Sequence, residues 1–178
     1  MPDLVTRAAT FAKAAHESIN QRRKYSGDPY IVHPQAVAGI VESVTDDQAM
    51  IAAAWLHDVV EDTPVTIEQI AERFGEDVAG LVADLTKVSK KSDGNRAARK
   101  AIDREHTAAA SARAKTVKLA DLVDNLGGLA EDDPEFAKVY FAEKELLMDV
   151  LTEGEPNLFG RVMEIIRQGK AVLIGSDV

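Results

Sequence analysis

Apolar residues recur at spacings of three and four along almost the whole chain, and the two-residue alternation of strands is scarce. The pattern predicts an all-α fold of about nine helices. The first is expected over about 3–20, where PDLVTRAATFAKAAHES is amphipathic and mixed in charge, followed by a loop carrying Ser26-Gly27-Asp28-Pro29. Pro34 suits the first turn of the next helix, because its missing N–H would have no partner there, and this sets His33 at that helix's N-terminal boundary. Thr45 and Gln48 have capping-box spacing, predicting a helix from about 46 that carries AMIAAAWLHDVV inward. Thr66 and Gln69 repeat the device after Pro64. Helices near 67–73 and 76–86, with Gly75 between them, then 96–109, 113–127, 134–150 and 157–169 complete the series. Asp133-Pro134 and Glu155-Pro156 mark two of the starts. SKKSDGNR is the most mobile connection by composition, and the ending AVLIGSDV carries no signal. No repeat or shift in composition divides the chain, so a single domain over 1–178 is expected.

The 178 residues are 46% apolar, enough for a sizeable core. With no cysteine, a metal could be held only by histidine, carboxylate and water, and the chain suits a reducing compartment such as the cytoplasm. No apolar run approaches the roughly 18 to 20 residues that span a bilayer, which predicts a soluble chain without a leader or membrane association. A formal charge of −9 argues against binding a nucleic-acid polymer, which is dominated by phosphate neutralisation. Basic residues nevertheless cluster at Arg22-Arg23-Lys24, at Lys87, Lys90 and Lys91, at Arg96, Arg99 and Lys100, and at Lys115 and Lys118. These are either solvated helix faces or parts of a local anion site.

The stretch LHDVVEDT ends the apolar run AMIAAAW with a concentration of polar groups. On one continuous helix His57 would lie over Glu61 and Asp58 over Asp62. Three carboxylates near a helix C-terminus repel one another and face the negative end of the macrodipole, so they either reach solvent at a frayed end or meet a cation. A second segment, KTVKLADLVDNLGGL, sets Asp121 among apolar residues with Asn125 four positions on. Its carboxylate needs a partner, either Lys118, a backbone cap or a metal. His33, His57, Asp58 and Asp121 together supply two imidazoles and two carboxylates, a set suited to manganese, iron, zinc or magnesium with water completing the sphere.

Over about residues 12–130 the chain resembles the HD-type phosphohydrolases, and among them the hydrolase domain of the RelA/SpoT alarmone enzymes. The resemblance rests on RRKYSGDPYIVHP, on AAAWLHDVVEDT followed by FGEDVAGLVADLTKVSK, and on KTVKLADLVDN, in that order. It is similar to the stand-alone small alarmone hydrolases of that group. The resemblance implies that His33, His57, Asp58 and Asp121 bind a divalent metal, usually Mn2+ in this family. Glu61 and Asp62 match carboxylates assigned to activating or orienting the attacking water. The implied substrate is a purine nucleotide carrying a 3′-pyrophosphate, such as guanosine tetraphosphate or pentaphosphate or an adenine counterpart. Arg23 and Lys24 match a nucleotide-contacting pair, and Asn125 a nucleotide-contacting asparagine. Lys100 and Arg104 are candidates for phosphate contacts by charge and position. Leu122, Asp124 and Gly127-Gly128 depart from the family pattern, which leaves the base preference open.

Two other functions fit the same residues: an HD phosphohydrolase that releases orthophosphate, and a nucleotide sensor without turnover. The sequence leaves a homo-oligomer open. Among the remaining residues, His16 reads as helix packing or as support for the site, His106 as superficial and Trp55 as core. Tyr30 is expected either to line the pocket or to cap a buried group with its hydroxyl. Thr63 is expected to close a helix end, and Thr86-Lys87 to lie near the pocket mouth.

Overall fold

The computed structural model describes residues 1–175; Ser176 to Val178, the end of the AVLIGSDV segment, lie outside the described residues. The fold is all-α. Among the described residues are eleven α-helices, of which nine have eight residues or more, and a short 3-10 turn over Lys91–Asp93. The chain forms two compact units, Met1–Lys87 and Val88–Val178.

The first unit contains α1 (Leu4–Ser18), α2 (Val32–Glu42), α3 (Gln48–Leu56), α4 (Val59–Asp62), α5 (Ile67–Phe74) and α6 (Glu76–Leu85). Helix α3 lies at its centre, packed by α1, α2 and α6. Its run from Met50 to Ala54 is buried throughout, as expected of a helix that is apolar on every side. The capping box at Thr66 forms as predicted: Thr66 Oγ1 accepts from the Gln69 N–H, and Gln69 Oε1 accepts from the Thr66 N–H. Gly75, with φ of 92°, separates α5 from α6.

Two expectations are corrected here. Thr45 does not cap α3; Asp47 does, its Oδ1 accepting from the N–H groups of Ala49 and Met50. The ionised carboxylate is the stronger acceptor for two helix-terminal donors, and Thr45 Oγ1 instead accepts from the N–H of Asp47. The second correction concerns the polar stretch. The helix does not run on through Asp62; it ends at Leu56, and α4 begins at Val59, with Asp58 turned to φ −100°, ψ −6°. His57 and Asp58 therefore occupy a break between helices, and stacking on one helix face does not describe them.

The second unit contains α7 (Arg96–Ala108), α8 (Ala112–Leu126), α9 (Leu129–Asp132), α10 (Pro134–Met148) and α11 (Pro156–Gly175), the last running beyond the expected end at 169. Helix α11 packs against α8, α9 and α10. A Cβ at Gly169 would stand 2.7 Å from Cε2 of Phe141, so glycine there sets how closely α11 meets the buried ring. SKKSDGNR includes the 3-10 turn and is fastened at its start: the Asp103 carboxylate accepts from the N–H groups of Val88 and Ser89 and from the Ser89 hydroxyl.

Candidate metal centre

Local backbone chemistry places the first histidine. The Val32 N–H bonds the Pro29 carbonyl and the His33 N–H bonds that of Tyr30, a tight turn that leads into α2 with His33 and Pro34 in its first turn. His33 is 1% exposed and His57 3% exposed. The break after α3 then has a chemical consequence. Residues adjacent on a helix point in different directions, but here His57 Nε2 lies 3.1 Å from Oδ2 of Asp58, and His33 Nε2 lies 3.6 Å from the same oxygen.

The imidazoles meet Nε2 to Nε2 at 3.2 Å. The Nδ1 of His57 faces the Ala54 carbonyl at 2.7 Å, an oxygen that can only accept. Nδ1 therefore carries the hydrogen, and the Nε2 of a neutral His57 presents a lone pair inward. An imidazole with its outer N–H tied to a carbonyl is the usual arrangement of a metal-ligating histidine. One ligand atom from each of His33, His57 and Asp58 falls within 4.8 Å of the others. The two nitrogens and the carboxylate oxygen thus fit a divalent cation. Tyr30 completes the surroundings: its hydroxyl donates to Asp58 Oδ2 at 2.6 Å, the buried-contact alternative foreseen for it.

Glu61 and Asp62 leave this cluster in different directions. Glu61 pairs with Lys87. Asp62 Oδ2 accepts from Gln21 Nε2 at 2.9 Å, while Gln21 Oε1 lies 2.7 Å from His16 Nδ1. Since the amide nitrogen of Gln21 donates to Asp62, its oxygen must accept, and Nδ1 of His16 is the donor. Burial pushes the Asp62 carboxyl above the usual carboxylate range, the hydrogen bond from Gln21 opposes this, and the charges of Asp58 and Glu61 add to the rise. A Schellman closure of α1 positions Gln21: Asn20 adopts φ 50°, its N–H bonds the Glu17 carbonyl, and the Gln21 N–H bonds that of His16. Gln21 was missed by the sequence reading, although Asn just past a helix end is the signal for such a turn.

Arg23 and Lys24 lie in the following loop. The Arg23 N–H bonds the Asp28 carbonyl, and Lys24 Nζ stands 4.8 Å over the ring of Tyr25. In the second unit Asp121 is buried on α8, with Lys118 Nζ on Oδ2 and Asn125 Nδ2 on Oδ1, both at 2.7 Å. Lys118, one of the partners expected for it, is thus in place, and Asn125 orients the same carboxylate. Lys100 and Arg104 are half-buried on α7. Leu122 is fully buried core, Asp124 half-buried, and Gly128 takes φ 76° at the start of α9. His106 and Trp55 are half-buried, so neither is fully superficial nor fully enclosed.

The description of the HD domain matches residues 8–147. A Drosophila melanogaster guanosine-3′,5′-bis(diphosphate) 3′-pyrophosphohydrolase is 38% identical over 165 residues, 87% of this chain and 89% of that protein. A probable enzyme of the same name from Synechocystis is 44% identical over 135 residues, 74% of this chain but 17% of the relative's length. Among solved structures, a metazoan orthologue of SpoT, described as hydrolysing ppGpp and playing a role in starvation responses, superimposes with a TM-score of 0.83. It is 36% identical, covering 94% of this chain and 97% of that one. With a buried His-His-Asp cluster at the break after α3 and these similarities along nearly its whole length, the chain belongs to the HD-domain family.

Proposed function

We propose that the protein is a metal-dependent 3′-pyrophosphohydrolase of purine alarmone nucleotides, acting on guanosine tetraphosphate, pentaphosphate or their adenine counterparts. The observation that carries this reading is the convergence of His33, His57 and Asp58 within a chain so similar to the fly pyrophosphohydrolase along both sequences. Asp121, held by Lys118 and Asn125, is assigned as the fourth ligand on the strength of the sequence resemblance, and Mn2+ as the ion. When bound, such a cation lowers the pKa of water and neutralises phosphoryl charge.

The chain's own groups do the rest. Glu61 and Asp62 orient the attacking water and take its proton; a carboxyl raised by burial, as that of Asp62 is, suits proton acceptance better than an ordinary one. The water oxygen bonds to phosphorus as the bond to the ribose 3′-oxygen breaks and that oxygen gains a proton. The products are pyrophosphate and the nucleoside 5′-di- or triphosphate. Arg23, Lys24, Lys100 and Arg104 supply cations for the nucleotide, with the Arg23 guanidinium able to stack on the purine.

Product analysis tests the reading. Manganese-loaded protein given guanosine tetraphosphate is expected to release pyrophosphate stoichiometrically with guanosine diphosphate. Orthophosphate as the sole phosphorus product would replace this reading with the alternative phosphohydrolase, and tight binding without turnover of any guanine or adenine 3′-pyrophosphate would replace it with the sensor.

A further inference from the structure

Helix α1 carries a histidine where its spacing calls for an apolar residue. Ala8, Ala12 and Ala15 line its buried face, and His16, four residues after Ala12, continues that face at 1% exposure. His16 holds Gln21 twice: its carbonyl accepts from the Gln21 backbone N–H at 3.1 Å, and its Nδ1 donates to Gln21 Oε1 at 2.7 Å. The other end of that amide, Nε2, donates to Asp62 Oδ2 at 2.9 Å. The second ring nitrogen of His16, Nε2, is buried and has no hydrogen-bond partner among the described residues.

That orphaned nitrogen separates packing from a polar role. A neutral imidazole has one donor and one acceptor. Here the donor is used on Gln21 and the acceptor is left unsatisfied in the interior, a cost that an apolar side chain would avoid. Packing alone would therefore favour leucine or methionine at position 16. Histidine supplies instead a rigid N–H aimed at Gln21 Oε1. In the reverse orientation of the amide, Oε1 would face the Asp62 carboxylate, oxygen against oxygen, and the amide nitrogen would face the ring. Nδ1 would then have to accept, leaving the ring hydrogen on Nε2 as a buried donor without an acceptor, which proteins tolerate least. The same ring lies 4.8 Å from that of Tyr30, whose hydroxyl donates to Asp58 Oδ2. Asp58 precedes α4 and Asp62 ends it, so one histidine stands behind the supports of both carboxylates.

We propose that His16 is a positioning residue for Asp62: by donating from Nδ1 to Gln21 it locks that side-chain amide in the orientation that donates to the Asp62 carboxylate. The use of this carboxylate to orient water and take its proton rests on the hydrolase reading above; the chain from His16 through Gln21 to Asp62 does not. An amide between them passes no proton, so His16 acts only through the direction of a hydrogen bond.

Two measurements on the full chain test it. Proton–nitrogen NMR correlations of the His16 ring, with diamagnetic magnesium as the added ion, read the tautomer directly and need no turnover. The hydrogen is expected on Nδ1; a hydrogen on Nε2 overturns the proposal. Kinetics on the manganese-loaded chain supply the second. His16→Leu removes the donor and keeps the bulk, and its kcat is expected to fall about ten- to hundredfold with KM and metal content kept, the range for a misplaced catalytic group. His16→Asn, which sets an amide N–H where Nδ1 was, should recover most of the loss. In a Gln21→Ala background His16→Leu should cost nothing more, because its effect passes through that amide. A wild-type kcat in His16→Leu, equal losses in the folded Leu and Asn variants, or losses that add to that of Gln21→Ala each overturn the proposal. If the wild-type chain hydrolyses no alarmone but shows the Nδ1–H tautomer, and its Gln21 amide protons lose their protection from exchange in His16→Leu, the hydrolase reading falls and the brace stands. Turnover with the hydrogen on Nε2 is the converse.

Discussion

The hydroxyl of Tyr30 donates to Oδ2 of Asp58, the oxygen that also faces Nε2 of both His57 and His33. That bond fixes the direction of a carboxylate which, at a break between helices, has no regular backbone to hold it. Tyr30→Phe removes the donor while keeping the ring that packs 4.8 Å from His16 and 5.7 Å from His33. Metal affinity is expected to fall about 10- to 100-fold, as is usual when a residue supporting a ligand is lost. Competition against a graded chelator measures it, and an affinity equal to that of the wild type would mean that Asp58 is not held by Tyr30 in the metal-bound state.

Asp58 and Glu61 are three residues apart but should fail differently. Asp58→Ala deletes an anionic ligand atom, so bound metal and hydrolysis are expected to disappear together. Glu61→Gln keeps the shape of a side chain paired with Lys87 and should retain a full metal complement while kcat drops about 10²- to 10⁴-fold. Metal analysis beside single-turnover rates separates the two. A Gln variant that loses metal but works normally after reconstitution would reverse the assignment.

Gln21 holds Asp62 against a tendency to stay protonated. Burial raises the carboxyl, and the Gln21 hydrogen bond is the factor that lowers it most. Activity that needs the ionised carboxylate is lost as pH falls through its pKa. Removing the opposing hydrogen bond raises that pKa further, so the acidic limb of the pH–kcat profile of Gln21→Ala should shift to higher pH, with metal content unchanged. Gln21→Glu, which places a second carboxylate beside Asp62, should shift it at least as far. A profile superimposable on that of the wild type would confine Gln21 to packing.

Gly169 tests the core of the second unit. The added methyl of Gly169→Ala meets the buried Phe141 ring, which must move or leave its rotamer. Overpacking of this kind costs about 1–3 kcal/mol. Helical propensity would favour alanine by up to about 1 kcal/mol, so a net loss of stability in denaturant unfolding is expected. A more stable variant would show that α11 and the ring separate freely.

The sequence by itself determined the helices and much of the centre. Periodicity of three and four, Pro34 in a first turn, the Thr66–Gln69 box and the His57-Asp58 pair are local signals, each depending on a few neighbours along the chain. Asp121 and its Lys118 partner were legible for the same reason, being three residues apart on one helix. Tertiary structure decided the rest. It gave the cap of α3 to Asp47, broke the helix after Leu56 so that adjacent side chains could converge, and brought Gln21 to Asp62 across 41 residues of sequence. It also buried Lys144 with its ammonium over the Tyr140 ring. Hydrogen bonds and charges act over a few ångströms of space, and only packing of the apolar faces determines which distant residues come within that reach.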